Sequence, residues 1–242
     1  MTDPLQQLLA AYGFAPGEIR RLVAGGRYCA VQLADGQLGV CATLGNLVPA
    51  KPAELEPLDL GNLGHRIVLN AYFNARLNHR APAGDHRDIT EAVDFTTARA
   101  PVMIGLFRPV VARLAAMGVK PAVFDPRHPL TASPFLVPVD RQEEYLRRAD
   151  KVIISATTIF NRTFTELAAA AGPEAEIYLL GPSTPLAAEL FAAPRLQALF
   201  GVVFQPDDRR VLEAVAAGRG TRSFIRFARK TVRYRETGGG QA

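Results

Sequence analysis

"DKVIISATTIFNRTFTELAAAAG", residues 150–172, is the stretch whose reading decides the fold. Val152-Ile153-Ile154 is short, apolar and β-branched and reads as a buried strand, whereas from Thr163 onward apolar residues return at helical spacing and stop at Gly172. Thr157, Thr158, Asn161 and Thr163 therefore stand where a strand hands over to a helix.

The same alternation extends in both directions. "PVMIGLF" (101–107), "KPAVFD" (120–125), "AEIYLLG" (175–181) and "LFGVVF" (199–204) read as strands. "RPVVARLAAMG" (108–118), "DRQEEYLRRA" (140–149), "PLAAELFAA" (185–193) and "PDDRRVLEAVAAG" (206–218) read as the helices between and after them. Strands alternating with helices of about ten residues predict βαβ units and a doubly wound parallel sheet with right-handed crossovers. Ligands of such sheets sit outside the C-terminal strand ends, where the polar cluster falls.

Upstream the pattern differs. A helix is predicted over residues 4–12, and a hairpin with strands over 28–33 and 37–43 turns at Asp35-Gly36. After a loop marked by Pro49, Pro52 and Pro57, "LGHRIVLNAYFNARLN" (63–78) predicts a helix with Asn70, Asn74 and Asn78 on one i, i+4 face. This half reads as α+β.

A chain of 242 residues, 48% hydrophobic and 21% charged, buries a substantial core. No apolar run approaches the roughly 20 residues that span a bilayer, and residues 1–10 carry no signal-peptide pattern, so the expectation is a cytoplasmic protein off the membrane. Cys29 and Cys41 face each other across the hairpin and read as buried thiols. Of the net charge of +5, the segment from Arg209 onward carries +7. Phe224, Ile225, Phe227, Ala228 and Val232 recur there at helical spacing, so its arginines are read as the wet side of a docked terminal helix rather than a nucleic-acid face, with Gly238-Gly239-Gly240 as a frayed tail.

Candidate sites follow from the strand ends. Thr163 and Glu166 form a T-x-x-E capping box, which leaves Thr157, Thr158 and Asn161 as surplus polar groups at one strand exit. Gly181, Pro182, Ser183 and Thr184, followed by Pro185, suit a helix cap and equally a cradle for a small anion or polar ligand. Gly105 occupies the place of a dinucleotide fingerprint whose other glycines are missing, and Asp125 closes the next strand, able either to bind a ribose hydroxyl or to cap its own turn. His79, Asp85, His86 and Asp88 share a loop with Arg76, Arg80 and Arg87 and read as solvated polar residues.

"APVMIGLFRPVVARL" (100–114), "ADKVIISATTIFNRTFTELAAAA" (149–171) and "IYLLGPSTPLAAELF" (177–191), in that order, resemble the DUF364 family, which is associated with heavy-metal chelation. "GQLGVCATLG" (36–45) and "IVLNAYFNARLN" (67–78) resemble its companion DUF4213 region. The resemblance implies an enolase N-terminal-like α+β domain over residues 1–98, a Rossmann-like α/β domain over 99–242, and a site between them. The expected function is binding of a metal ion, a metal chelate or another small polar ligand in that cleft, through Thr157, Thr158, Asn161, Thr163, Gly105 and the Gly181–Thr184 loop, with Asn70 or Asn74 facing them. The alternative is an enzyme whose nucleotide-like cofactor contacts Gly105 and Asp125, with a carboxylate or His128 as acid or base. A homodimer is compatible with either.

Overall fold

The computed structural model describes residues 2–81 and 85–236. α1 (Pro4–Tyr12) is capped by Asp3, whose carboxylate accepts from the Leu5 and Gln6 amides. Three antiparallel strands follow in chain order, β1 (Ile19–Ala24), β2 (Tyr28–Leu33) and β3 (Leu38–Ala42). Gly36, at φ +90°, turns the predicted hairpin, and Cys29 lies opposite Cys41. Both faces of β2 and β3 are buried, so these strands lack the apolar–polar alternation of a half-wet sheet. Cys29, Val31 and Cys41 pack toward α2 (Leu63–Leu77), while Ala30, Leu38 and Val40 pack against Val211, Leu212 and Val215 of α8 (Arg209–Ala216).

Between α2 and α8 lie α3 (Ile89–Ala92), β4 (Val102–Ile104), α4 (Arg108–Ala116), β5 (Ala122–Phe124), α5 (Gln142–Arg148), β6 (Lys151–Ser155), α6 (Thr157–Phe160), α7 (Phe164–Ala170), β7 (Glu176–Leu180) and β8 (Leu196–Phe204). α9 (Thr221–Phe224) and β9 (Ala228–Tyr234) complete the described chain. The second sheet has the order β5-β4-β6-β7-β8-β9, parallel except for β9, which runs antiparallel to β8. Its strands sort by parity: Ile104, Ile154 and Leu179 face the core shared with α2, whereas Met103, Ile153 and Tyr178 face α3 and α4. This mixed α/β architecture is the fold class expected from the sequence. One apolar core continues from α1 and α2 into β4, β6 and β7, and α8 covers the first sheet from the far end of the chain.

β1 lies where no element was expected, and two predicted helices differ from expectation. The terminal helix ends after α9 and one 3-10 turn at Ile225–Phe227, and the chain then becomes an edge strand. β8 offers an open hydrogen-bonding edge, and pairing Phe200 with Val232 and Val203 with Arg229 satisfies it while leaving Arg229 and Lys230 in water. The predicted helix over 185–193 reduces to a 3-10 segment, Ala188–Ala192, because the chain before it lies flat on β8. A Cβ on Gly201 would meet Thr184 O and Leu186 Cδ2 at 3.0 Å each.

The asparagine row of α2 holds that flat segment. Asn70 Nδ2 donates to Ser183 O (2.8 Å), Asn74 Nδ2 to Val40 O (2.8 Å) and Pro182 O (3.4 Å), and Asn78 Nδ2 to Thr184 O (3.0 Å) and Val202 O (3.1 Å). Asn78 Oδ1 in return accepts from the Leu186 amide at 2.8 Å. Spacing of i, i+4 thus lets one helix face read successive carbonyls of one loop. Asn78→Leu orphans three buried backbone groups at about 1–3 kcal/mol each before relaxation, so a loss of about 3 kcal/mol is expected in urea unfolding. A loss below about 1 kcal/mol would mean that the loop holds itself.

Candidate functional site

From β4 the chain moves outward to β5 on one side and then crosses back to β6 on the other, so the strand order reverses between β4 and β6. The ends of adjacent strands that leave in opposite directions open a crevice. Gly105 follows β4 and Ser155 ends β6, and a cleft of about 200 Å³ opens there. Ser155, Thr157, Gly181 and Ser183 line it from the large sheet. Tyr28, Ala42 and Leu44 close it from the small sheet, with Arg127 and Thr221 at other points of the wall.

The backbone makes the room. Gly105 and Gly181 sit at φ +92° and +129°, where side chains are strained. A Cβ on Gly105 would lie 3.0 Å from Ser155 Cβ, and the Phe107 ring passes 3.7 Å from the Cβ positions of both glycines. Hydroxyls then furnish the wall in pairs. Ser155 Oγ and Thr157 Oγ1 share a hydrogen bond of 2.9 Å, as do Tyr28 OH and Thr221 Oγ1 at 2.7 Å. Each pair consumes one proton and leaves the other hydroxyl's proton, plus acceptor lone pairs, for a ligand. Burial pushes the Tyr28 phenol up from its ordinary value, so it stays neutral at physiological pH.

The expected residues divide. Gly105, Thr157, Gly181, Pro182 and Ser183 converge on the cleft. Thr158 is buried and donates to Ser155 O at 2.6 Å, stiffening the turn behind the cleft wall. Asn161 Oδ1 accepts from the Thr163 amide (3.1 Å) and hydroxyl (2.7 Å), a closed local turn away from the lining. The capping box expected at Thr163 and Glu166 does not form, because Thr163 already has helical dihedrals and its hydroxyl is turned back to Asn161. A capping box forms instead at Asp88 and Glu91 of α3. Thr184, Asn70 and Asn74 are buried beneath the Gly181 loop, and Thr184 Oγ1, Asn70 Oδ1 and Asn74 Oδ1 have no protein partner among the described residues.

Asp125 lies under the cleft. Its Oδ2 accepts from the Leu106 amide (2.9 Å) and Arg127 Nη2 (2.9 Å), and its Oδ1 from the Arg127 amide (3.0 Å) and Nε (3.1 Å). Burial works to raise its pKa, but the Arg127 guanidinium and these amides outweigh burial and hold the carboxyl below its ordinary range. Both oxygens are engaged, so the ribose contact considered above has no free acceptor facing it. Residues not anticipated are Ser155, Phe107, Tyr28, Arg127 and Thr221. Ser155 stood in the quoted stretch beside the polar cluster and Phe107 two residues after Gly105; Tyr28, Arg127 and Thr221 are brought in only by tertiary structure.

The histidine loop is structural rather than merely solvated. Lys230 Nζ donates to Asp88 Oδ2 (2.7 Å), the Val232 amide to Asp85 O (3.1 Å), and His86 Nδ1 meets Lys230 O (2.9 Å), latching β9 in place. The frayed tail expected over 238–240 lies outside the described residues.

DUF364, described as "Putative heavy-metal chelation", matches residues 88–233, more than half of the chain and the second sheet except for the last residue of β9. A crystal structure of a DUF364 protein of unknown function from Pyrococcus horikoshii superposes with a TM-score of 0.74 at 21% identity, covering 89% of this chain and 92% of that one. A second, from Desulfitobacterium hafniense DCB-2 and also of unknown function, gives 0.75 at 20% identity, covering 96% and 97%. At these identities the likeness is one of fold. No curated protein matches. Among the described residues no helix is long and apolar enough to cross a membrane.

The donor chemistry does not fit a bare heavy-metal ion. Soft ions favour converging thiolates or imidazoles. Cys29 and Cys41 are fully buried, and burial pushes the Cys29 thiol up to about 12 and that of Cys41 well above its usual value, so both stay protonated. Among the described residues no group of three or more His, Cys, Asp or Glu is placed to hold a metal.

Proposed function

Because the chain belongs to the DUF364 family and its donors do not suit a naked ion, we propose that it binds a small oxygen-rich polar molecule in the cleft at the β4–β6 switch point. Metal enters only as part of such a molecule, as a chelate whose organic oxygens and hydroxyls meet the protein. The observation that carries this reading is the wall itself: Tyr28, Ser155, Thr157 and Thr221 bring hydroxyls to one small cleft whose lining, among the described residues, includes no carboxylate, imidazole or thiol, while the Ser183 hydroxyl behind it is held by the Ala42 amide. Such a wall recognises lone pairs and hydroxyl protons and leaves coordination chemistry to the ligand. Gly105 and Gly181 allow the backbone to approach it closely.

Native mass spectrometry of freshly purified protein, beside elemental analysis of the same sample, tests the proposal. An organic mass, with or without metal, is expected on the wild type and should fall away in a Ser155→Ala, Thr157→Val double variant. Stoichiometric metal with no organic component, or a ligand retained unchanged by the double variant, overturns it.

A further inference from the structure

Among the described residues, Arg127 is the only charged side chain in the cleft lining. Its partner Asp125 is almost wholly buried, with 1% of its side chain exposed against 49% for Arg127. The carboxylate grips the guanidinium through Nε and Nη2, side-on, while the Leu106 and Arg127 amides take up the rest of its charge. That geometry fixes the guanidinium plane and leaves Nη1, on a half-exposed side chain, with no hydrogen-bond partner among the described residues. A bidentate carboxylate partner behind and open N–H donors in front is how an arginine is held ready for an incoming anion. Arg127 also lies close enough to Tyr28 for its charge to favour the phenolate, so cation and hydroxyl wall share one space.

We infer that the ligand carries an anionic oxygen group, carboxylate or phosphate, and that Arg127, positioned by Asp125, selects it. This rests on the cleft being the ligand site. The hydroxyl pairs satisfy the neutral oxygens, and the guanidinium supplies the one fixed charge. Binding by this contact should weaken as salt is added, since Arg127 is half-exposed.

Isothermal titration calorimetry of the full chain with citrate and, separately, inorganic phosphate tests the inference. Wild type is expected to bind at least one of them, Arg127→Gln to bind about tenfold or more weakly, and Arg127→Lys to recover part of the loss. Ser155→Ala should also weaken binding. If Arg127→Gln binds as wild type does while Ser155→Ala does not, the anion assignment is wrong and the cleft stands. If neither substitution matters, both fail. Absence of binding of either anion by wild type at about 10 mM likewise overturns the inference. A preference for citrate or for phosphate identifies which acid the cleft takes.

Discussion

Arg66→Ala lowers stability by about 3–5 kcal/mol, the loss expected when one partner of a buried ion pair is removed. The Arg66 side chain, 2% exposed, donates from Nε to Phe160 O (2.7 Å) and from Nη2 to Ile159 O (2.8 Å) and Asp3 Oδ2 (2.7 Å). Asp3 is itself the cap of α1, so a single guanidinium ties the start of α1 and the middle of the chain to α2. Removing it orphans two carbonyls at the end of α6 and leaves the Asp3 carboxylate without its cation. Arg66→Met keeps much of the apolar stem and should still lose more than half as much. Urea midpoints and slopes for both variants provide the measurement; a loss under about 1 kcal/mol for Arg66→Ala would show that water replaces the guanidinium without penalty. Because α6 begins at Thr157 of the cleft wall, the Arg66 variants should also bind ligand more weakly.

Gly39→Ala is the second large effect. A Cβ there would lie 2.2 Å from both Ala71 O and Ala75 N, inside the backbone of α2. Flexible side chains yield to such a contact, but a helix backbone does not, and Asn74 pins this turn of α2 to Val40 O. The expected loss is about 3 kcal/mol, the upper part of the range for overpacking. Gly17→Ala, where the new methyl meets nothing within 4 Å, serves as the control and should change stability by less than about 1 kcal/mol. Equal effects of the two substitutions in thermal or urea unfolding would refute the close approach of β3 to α2.

Most of the alternation of strand and helix from residue 101 to 216 was legible because the short apolar β-branched runs are bounded by helices with their own periodicity; the exception is 185–193, where the flat segment over β8 leaves only a 3-10 turn. The hairpin was legible from Asp35-Gly36, and the asparagine row from its spacing. β9 was not, because spacing among five apolar residues fits two periods over so short a span and the open edge of β8, more than 20 residues away in sequence, decides between them. Half of the cleft was legible at strand ends, where the chain must turn. Tyr28, Arg127 and Thr221 were not, since each is an ordinary residue locally and becomes a wall only when elements distant in sequence meet. Asn70 and Asn74 were seen as polar residues on the right helix face, yet their amides bind the loop that lines the cleft rather than facing the cleft.

The cover that α8 places on the first sheet has a consequence for synthesis. Ala30, Leu38 and Val40 are made early, and α2 soon shields the opposite face of their hairpin, but Val211, Leu212 and Val215 emerge from the ribosome some 170 residues later. At translation rates of about 5–20 residues per second the delay is roughly 10 to 30 s. Throughout that interval the nascent hairpin presents an apolar face to water or to a chaperone, and for most of it the amide of Ala42 waits for Ser183 Oγ, its partner in the finished protein at 3.0 Å. The first sheet to be made is thus among the last surfaces of the chain to be enclosed.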